Sequence, residues 1–278
     1  MLKMPTLDLR PMSAGEILDR TASLYRDNFV LFFGISVVPH LLLLLWNLPR
    51  LVLLEYGRRI SPSQLFEQTA ITLVITVVDA HIVYFFAQGA TTFAVSEMYL
   101  GRKVSIFAAL RRLGTRTRSL VGCTLLSGMT IFFATVLLLV PGISLACRLM
   151  VALPAAILEN LSPRGAFERS FSLTRGYVKG ALAIFALYFA LRITAYLLIL
   201  YAYRLVVLAR LDLETRLLGS VLVLFANVAI ATLIEPFLTI AATVFYFDLR
   251  VRKEALDLQL MLNDSGKIPA GPIGAPST

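Results

Sequence analysis

The stretch that decides the fold of this chain is residues 162–208, SPRGAFERSFSLTRGYVKGALAIFALYFALRITAYLLILYAYRLVVL. It begins as an amphipathic helix, because Ser162 is a good N-cap residue and Pro163 suits the first turn, where a missing N–H loses no hydrogen bond. One face of that helix carries Phe167, Ser170, Phe171 and Thr174. From Gly180 onward the sequence is apolar for longer than the ~20 residues that cross ~30 Å of hydrocarbon. The stretch therefore predicts a surface helix followed by a transmembrane helix.

The same spacing occurs three times: a serine, an apolar residue five positions later, and arginines seven and thirteen positions later. The copies are Ser13, Leu18, Arg20 and Arg26; Ser105, Leu110, Arg112 and Arg118; and Ser162, Phe167, Arg169 and Arg175. A recurring spacing indicates a repeated unit, with chance as the alternative, since only four positions match. Each unit is predicted to be a basic amphipathic helix followed by a transmembrane hairpin, over about 13–98, 105–158 and 162–247. In the first copy Ser13 and Glu16 also form a capping-box pattern.

The composition places the chain among membrane proteins. Of its 278 residues, 58% are hydrophobic and 15% charged, whereas soluble domains carry about 25% charged residues. The fold class is predicted to be all-α: a polytopic transmembrane helical bundle with six spans, arranged as three hairpins that each follow an amphipathic interfacial helix. Residues 1–262 form one integral membrane domain, and residues 263–278 a disordered tail. The spans are Phe29–Leu54, Ile71–Met98, Leu120–Val140, Ile143–Leu158, Gly180–Leu208 and Leu217–Phe247, with a turn predicted at Pro141-Gly142.

Lysines and arginines are distributed unevenly between the two sides of this topology. Eighteen fall in the N-terminal segment, the 99–119 and 160–179 loops and the tail, and six on the opposite side. Cytoplasmic loops carry the excess of basic residues, so both termini are predicted to be cytoplasmic. An even number of spans likewise places both termini on the same side.

Two roles are open for the three basic helices. Their apolar faces could enter the acyl boundary while their arginines bind anionic lipid headgroups, or the helices could pack as caps on the bundle. The candidates for headgroup binding are Arg20, Arg26, Arg112, Arg118, Arg169 and Arg175. The net charge is +9, but in a membrane protein the positions of the basic residues matter more than their sum. The predicted partners are therefore membrane lipids, and no nucleic-acid partner is predicted.

Ionisable side chains inside predicted spans are costly and are candidates for function. Arg192 and Glu235 lie at equal predicted depth, ~18 Å from the cytoplasmic ends of two consecutive spans, and are predicted to pair. The pair could line a polar cavity for a headgroup or a proton, or it could fix the register of the helices. Asp79, His81 and Arg148 are expected in the outer half of their spans, as a second cluster.

Catalytic patterns are scarce. The chain has two histidines, His40 and His81, and it carries no G-x-S-x-G, P-loop or H-E-x-x-H motif and no clustered metal-ligand spacing. Cys123 and Cys147 lie in apolar segments and are predicted to be small core residues. The sequence thus predicts a protein that is not an enzyme and has no cofactor and no metal site.

Several motifs resemble the membrane domain associated with bacterial glycerophosphoryl diester phosphodiesterases, and they are also similar to other six-span inner-membrane families. They are Arg10–Arg20 with Leu24–Arg26, Val140–Ile143, Leu153–Ala155 with Leu158–Glu159, Ser162–Gly176, and Tyr246–Glu254. The resemblance implies an all-helical protein of the bacterial cytoplasmic membrane with a link to lipids or to the cell envelope. It implies no hydrolysis, because the soluble catalytic domain of that family has no counterpart in this sequence.

Three functions remain as alternatives. The first is a non-enzymatic membrane module that interacts with lipids, as a scaffold, partner subunit or lipid-handling protein. The second is a small transporter or lipid translocator with a polar site at Arg192 and Glu235. The third is a membrane-embedded phosphodiesterase, which ranks last because the catalytic constellation is missing.

Overall fold

The computed structural model describes residues 10–56, 71, 87–99, 101–113, 117–208 and 212–255. The regular structure within these residues is helical, without strands. In chain order the helices are α1 (Ala14–Asp27), α2 (Phe29–Tyr56), α3 (Gly89–Tyr99), α4 (Ile106–Leu113), α5 (Thr117–Leu137), α6 (Leu139–Leu149), α7 (Ala152–Leu158), α8 (Pro163–Thr174), α9 (Val178–Leu208) and α10 (Leu213–Glu254).

Four helical segments in the described part of the chain are long and apolar enough to cross a membrane. They are Phe29–Pro49, Leu139–Leu158, Val178–Leu205 and Glu214–Glu254, and Leu120–Thr135 is a shorter apolar helix. Most of the second predicted span, Ile71–Met98, lies outside the described residues. The outer surfaces of α2, α5, α9 and the first half of α10 expose large apolar side chains, among them Leu42, Phe133, Leu198 and Leu222. An apolar surface of this extent is typical of a membrane contact.

The buried core surrounds the second half of α10. Residues 239–251 of this helix are buried, and Ile17 of α1, Val95 of α3, Leu173 of α8 and Ile184 of α9 pack into the same cluster. At 42 residues, α10 is ~63 Å long, about twice the hydrocarbon thickness of a bilayer. The first half of α10 therefore exposes apolar side chains on the outside of the protein, while the second half is covered by other helices. The two cysteines, Cys123 and Cys147, are free and buried, in agreement with their prediction as core residues.

A helix begins directly after each serine of the threefold spacing. The hydroxyls of Ser13, Ser105 and Ser162 each accept a hydrogen bond from the amide three residues later, at 3.3, 3.2 and 3.3 Å. In the first copy Glu16 completes the capping box, and the backbone amide of Ser13, followed by the guanidinium of Arg10, lowers the pKa of Glu16 to about 2. The residue four positions after each serine is fully buried: Ile17, Ala109 and Ala166.

Helix α1 packs along α10 in the opposite direction. Near its start the amide of Met12 donates to Asp248, and near its end the Tyr25 hydroxyl donates to the carbonyl of Leu233. The apolar face of α1, including Ile17 and Leu24, is buried in the protein core. Of the two roles left open by the sequence, packing on the bundle is thus the one that the contacts of α1 support.

The turn between α5 and α6 lies at Leu138, and the predicted position at Pro141-Gly142 is wrong. Leu138 is extended, whereas Pro141 occupies the first turn of α6, where its missing N–H loses no intrahelical bond. Gly142 lies inside the helix and packs against Thr135 of α5. Glycine is needed here because the two helices approach closely beside the turn.

Replacing Gly142 with Ala should destabilise the α5–α6 contact. An added Cβ would lie 2.6 Å from the Cα of Thr135, so the helices must separate, at a cost of about 1–3 kcal/mol. Thermal unfolding of the purified protein in detergent measures the effect. Gly15→Ala is the matched control, because nothing lies within 4 Å of its added Cβ and alanine is favoured in a helix by about 0.5–1 kcal/mol. Equal melting temperatures for Gly142→Ala and the wild type would contradict the packing described here.

Candidate functional site

A buried ionic network joins the C-terminal end of α10 to α7 and α8. Its members, called here the C-terminal network, are Glu159, Arg169, Tyr246, Arg250 and Glu254. Tyr246, Arg250 and Glu254 are spaced four residues apart, so a single face of α10 presents all three. Glu159 is the C-cap residue of α7, and Arg169 lies on the inner side of α8.

The hydrogen bonds of this network form a closed ring. The Arg169 Nε lies 2.8 and 2.7 Å from the two carboxylate oxygens of Glu159, and its Nη2 donates to Glu254. The Tyr246 hydroxyl donates to Glu159 at 2.8 Å. Arg250 donates from Nε to Glu254 at 2.8 Å and from Nη1 to the Tyr246 oxygen at 3.3 Å. The positive charges of two guanidiniums are therefore neutralised by the negative charges of two carboxylates within the network.

Arg169 is committed to this network. Its side chain is 16% exposed, and that of Glu159 is 2% exposed. Burial alone would lower the pKa of Arg169, but the carboxylates of Glu159 and Glu254 raise it above its ordinary value. Removing charge from water is costly unless each group is paired and hydrogen-bonded, and here each group is. The predicted role of Arg169 in binding a lipid headgroup does not fit this arrangement.

A second set of contacts ties the same end of α10 to α1. Asp248 accepts hydrogen bonds from the Met12 amide at 2.6 Å and from Arg252 at 2.8 Å, and Arg252 also donates to the Met12 carbonyl at 2.6 Å. Lys253 donates to the carbonyls of Ser172 and Arg175 at the end of α8. The segment Tyr246–Glu254 thus holds both α1 and α8.

A separate polar pair lies between two apolar helices. His40 of α2 is 4% exposed, and its Nε2 lies 3.4 Å from the Glu235 carboxylate of α10. The other ring nitrogen lies 2.8 Å from the Ser36 carbonyl, so the ring is oriented by a carbonyl on one side and a carboxylate on the other. Both residues sit next to a helix proline, Pro39 and Pro236.

Arg192 and Tyr188 of α9 belong to the surroundings of this pair. Arg192 is within electrostatic range of His40 and of Tyr188, and Glu235 is within range of Tyr188. The structure therefore brings Arg192 and Glu235 into one neighbourhood, as their equal depth predicts. Among the ion pairs of the described residues, however, Glu235 faces His40 and forms no direct pair with Arg192. Whether this cluster serves function or helix register stays a prediction.

The C-terminal end of α1, which carries Arg26 and Asp27, lies near this cluster. The Tyr25 hydroxyl contacts the carbonyl of Leu233, two residues before Glu235. The neighbouring Arg26 and Asp27 are exposed and pair at 3.4 Å.

Arg148, which the sequence predicted to form a second cluster with Asp79 and His81, contacts α8 in the structure. Its carbonyl accepts hydrogen bonds from Ser170 and Thr174 of α8, at 2.6 and 3.3 Å, and its guanidinium lies 5.8 Å from the centre of the Phe171 ring. Asp79 and His81 lie outside the described residues.

The other headgroup candidates differ in their surroundings. Arg20 is half-buried and lies near Tyr99, whereas Arg26 and Arg175 are exposed. Arg112 is exposed, with its guanidinium 5.6 Å from the centre of the Phe93 ring. The side chain of Arg118 lies outside the described part of the chain.

Two features were missed by sequence reasoning. His40 falls within the first predicted span, but nothing in the sequence links it to Glu235 except that each is next to a proline. The C-terminal network could have been suspected from Tyr246, Arg250 and Glu254 at four-residue spacing, but their partners lie far away in sequence. Within the described ranges, no group of three or more His, Cys, Asp or Glu side chains could hold a metal ion.

Comparison of the chain with protein-family models, with curated proteins and with solved structures finds no match. The class of protein is therefore defined by the fold alone: an all-helical protein with several helices suited to a membrane.

Replacing Arg169 with Met should strongly destabilise the protein. The change leaves Glu159 and Glu254 buried without their shared cation, which costs about 3–5 kcal/mol in comparable buried pairs. Arg164→Met, on the same helix, is the matched control: Arg164 is 90% exposed and pairs with Glu168, an interaction that contributes about 0–1 kcal/mol. Thermal unfolding in detergent compares the two variants, and similar small losses in both would contradict the role given to the network.

Proposed function

We propose that this protein is a non-enzymatic integral membrane module that interacts with lipids, as a scaffold or as a partner subunit. The observation that supports this proposal best is that some arginines are buried in ion pairs whereas others are exposed on the surface. Arg169 and Arg250 are paired with carboxylates in the buried network, while Arg111 and Arg175 are exposed. The resemblance to the membrane domain of glycerophosphoryl diester phosphodiesterases favours the same lipid or envelope role.

The topology proposed with this function is a six-span protein of the bacterial cytoplasmic membrane with both termini in the cytoplasm. The asymmetry of 18 basic residues against six supports it, since basic loops stay on the cytoplasmic side. The basic helices α1, α4 and α8 would then lie on the cytoplasmic side of the bundle.

Cysteine labelling in intact cells tests this topology. A cysteine introduced at Arg58 or Asp212 should react with a membrane-impermeant thiol reagent, and a cysteine at Thr115 or Ser265 should react only after the cells are opened. Cys123 and Cys147 are buried and should give little background. Labelling at 115 or 265 in intact cells would show that the orientation is reversed.

Native mass spectrometry of the purified protein tests the lipid role. Because each exposed arginine favours an anionic surface, lipids that stay bound should be richer in anionic phospholipids than the membrane extract. Raising the salt concentration should reduce this enrichment. A bound-lipid composition equal to that of the extract would contradict the proposal.

A second candidate function, a small transporter or lipid translocator, is favoured by the buried contact between His40 and Glu235. Ionisable side chains within spans mark pathways for ions or polar groups, and prolines next to them are found where helices line transport sites. Arg192 and Tyr188 add polar groups on a third helix.

Reconstituted proteoliposomes test this second function. The wild type should move a fluorescent phospholipid between leaflets faster than protein-free liposomes do, and Glu235→Gln should reduce the rate to the protein-free level. Glu168→Gln, at an exposed carboxylate, is the control and should leave the rate unchanged. Melting temperatures separate lost function from lost fold, and a wild-type rate in Glu235→Gln would rule out this site.

A further inference from the structure

Helix α4 (Ile106–Leu113) is short and held on one side. Ala109 is fully buried, and Ile106 and Leu110 pack against the main core. Ile106 is seated against Gly34 of α2, where an added Cβ would lie 3.2 Å from its Cγ1. One face of α4 is thus fixed to the bundle, and its other face is turned away from the core.

The outward face of α4 combines an aromatic ring with cations. Phe107 is 75% exposed, and Arg111, one turn later on the same face, is exposed too. Arg102 and Lys103, directly before the helix, are also exposed. An exposed aromatic ring beside basic side chains is the pattern of helices that lie at a membrane interface.

Acidic side chains are missing from this part of the sequence. After Glu97 the next acidic residue along the chain is Glu159, whereas residues 102–118 contain six Lys or Arg. Glu97 pairs with Arg102 at 3.3 Å and so balances one of these charges. The segment that carries α4 is therefore strongly basic.

The neighbouring surface of α2 is apolar and exposed. Val30 and Val38 lie one turn before and after Gly34, on the same stripe of α2, and are 77% and 42% exposed. Helix α4 thus contacts α2 at Gly34, and the exposed valines on either side of Gly34 are suited to acyl chains. The cations of α4 lie where headgroups would meet such a surface.

We infer that α4 binds the phosphate headgroup of an anionic phospholipid, through Arg102, Lys103 and Arg111, with Phe107 inserted at the acyl boundary. This inference rests on the lipid role proposed above and gives that role a specific site. Arg112 is left out of the site because its guanidinium lies over the ring of Phe93.

The test uses the full-length protein in detergent, titrated with a short-chain phosphatidylglycerol and followed by native mass spectrometry. The triple variant R102Q/K103Q/R111Q should bind this lipid roughly tenfold or more weakly, since each cation near an anionic surface contributes to affinity. The control variant R164Q/K179Q/R204Q removes the same number of exposed cations elsewhere and should bind as the wild type does. Phe107→Ala should weaken binding of the lipid but not of inorganic phosphate.

Each outcome bears on a different part of the inference. Equal weakening in the two triple variants would overturn the site and leave only a general charge effect. Displacement of the lipid by millimolar inorganic phosphate, together with no effect of Phe107→Ala, would show a phosphate site and overturn the lipid assignment. Binding that is lost in the first triple variant alone supports α4 as the site. Absence of phosphatidylglycerol binding in the wild type would count against the proposed lipid function itself.

Discussion

The guanidinium of Arg169, held between the carboxylates of Glu159 and Glu254, is the contact on which the packed half of this structure depends. Charges taken out of water stabilise a fold only if they are paired and their remaining hydrogen-bonding groups are satisfied. Tyr246 and Arg250 supply those remaining bonds. Because the partners come from three helices, losing one of them leaves a buried charge and not merely an empty space.

The same end of α10 also fixes α1, through Asp248 and Arg252. A helix of ~63 Å is too long for one crossing of ~30 Å, and here its two halves have different tasks. The first half presents apolar side chains outward, as a membrane helix does. The second half is the axis around which α1, α3, α7, α8 and α9 pack. Helix α10 therefore holds the other helices both by polar contacts at its end and by apolar packing along its second half.

Local chemistry made part of this fold predictable. Ser13, Ser105 and Ser162 cap helices because a serine hydroxyl can accept an amide hydrogen bond within one turn, which requires no knowledge of the rest of the chain. The length and composition of an apolar run are also local properties, and they were enough to predict the helical class and the four described membrane segments. The turn at Leu138 was missed, since Pro141 fits the first turn of a helix as well as it fits a loop.

Long-range partners were not predictable in this way. Depth along a span placed Arg192 and Glu235 at one level, but it carries no information about which way a side chain points around the helix axis. The sequence therefore did not predict that His40 of α2 is the residue that contacts Glu235. Arg169 looked like a headgroup ligand because it lies seven residues after its serine, as Arg20 and the exposed Arg112 do in the other two copies. Its partner Glu254 lies 85 positions further along the chain.

Hydrogen exchange followed by mass spectrometry tests most directly whether the end of α10 holds the packed half together. In the variant D248N/E254Q, which removes one anchoring carboxylate toward α1 and one toward α8, the amides of both helices should exchange faster than in the wild type. The amides of α5 and α6, which pack against each other around Gly142, should keep their protection. Unchanged exchange in α1 and α8 would show that these helices are held by apolar packing alone.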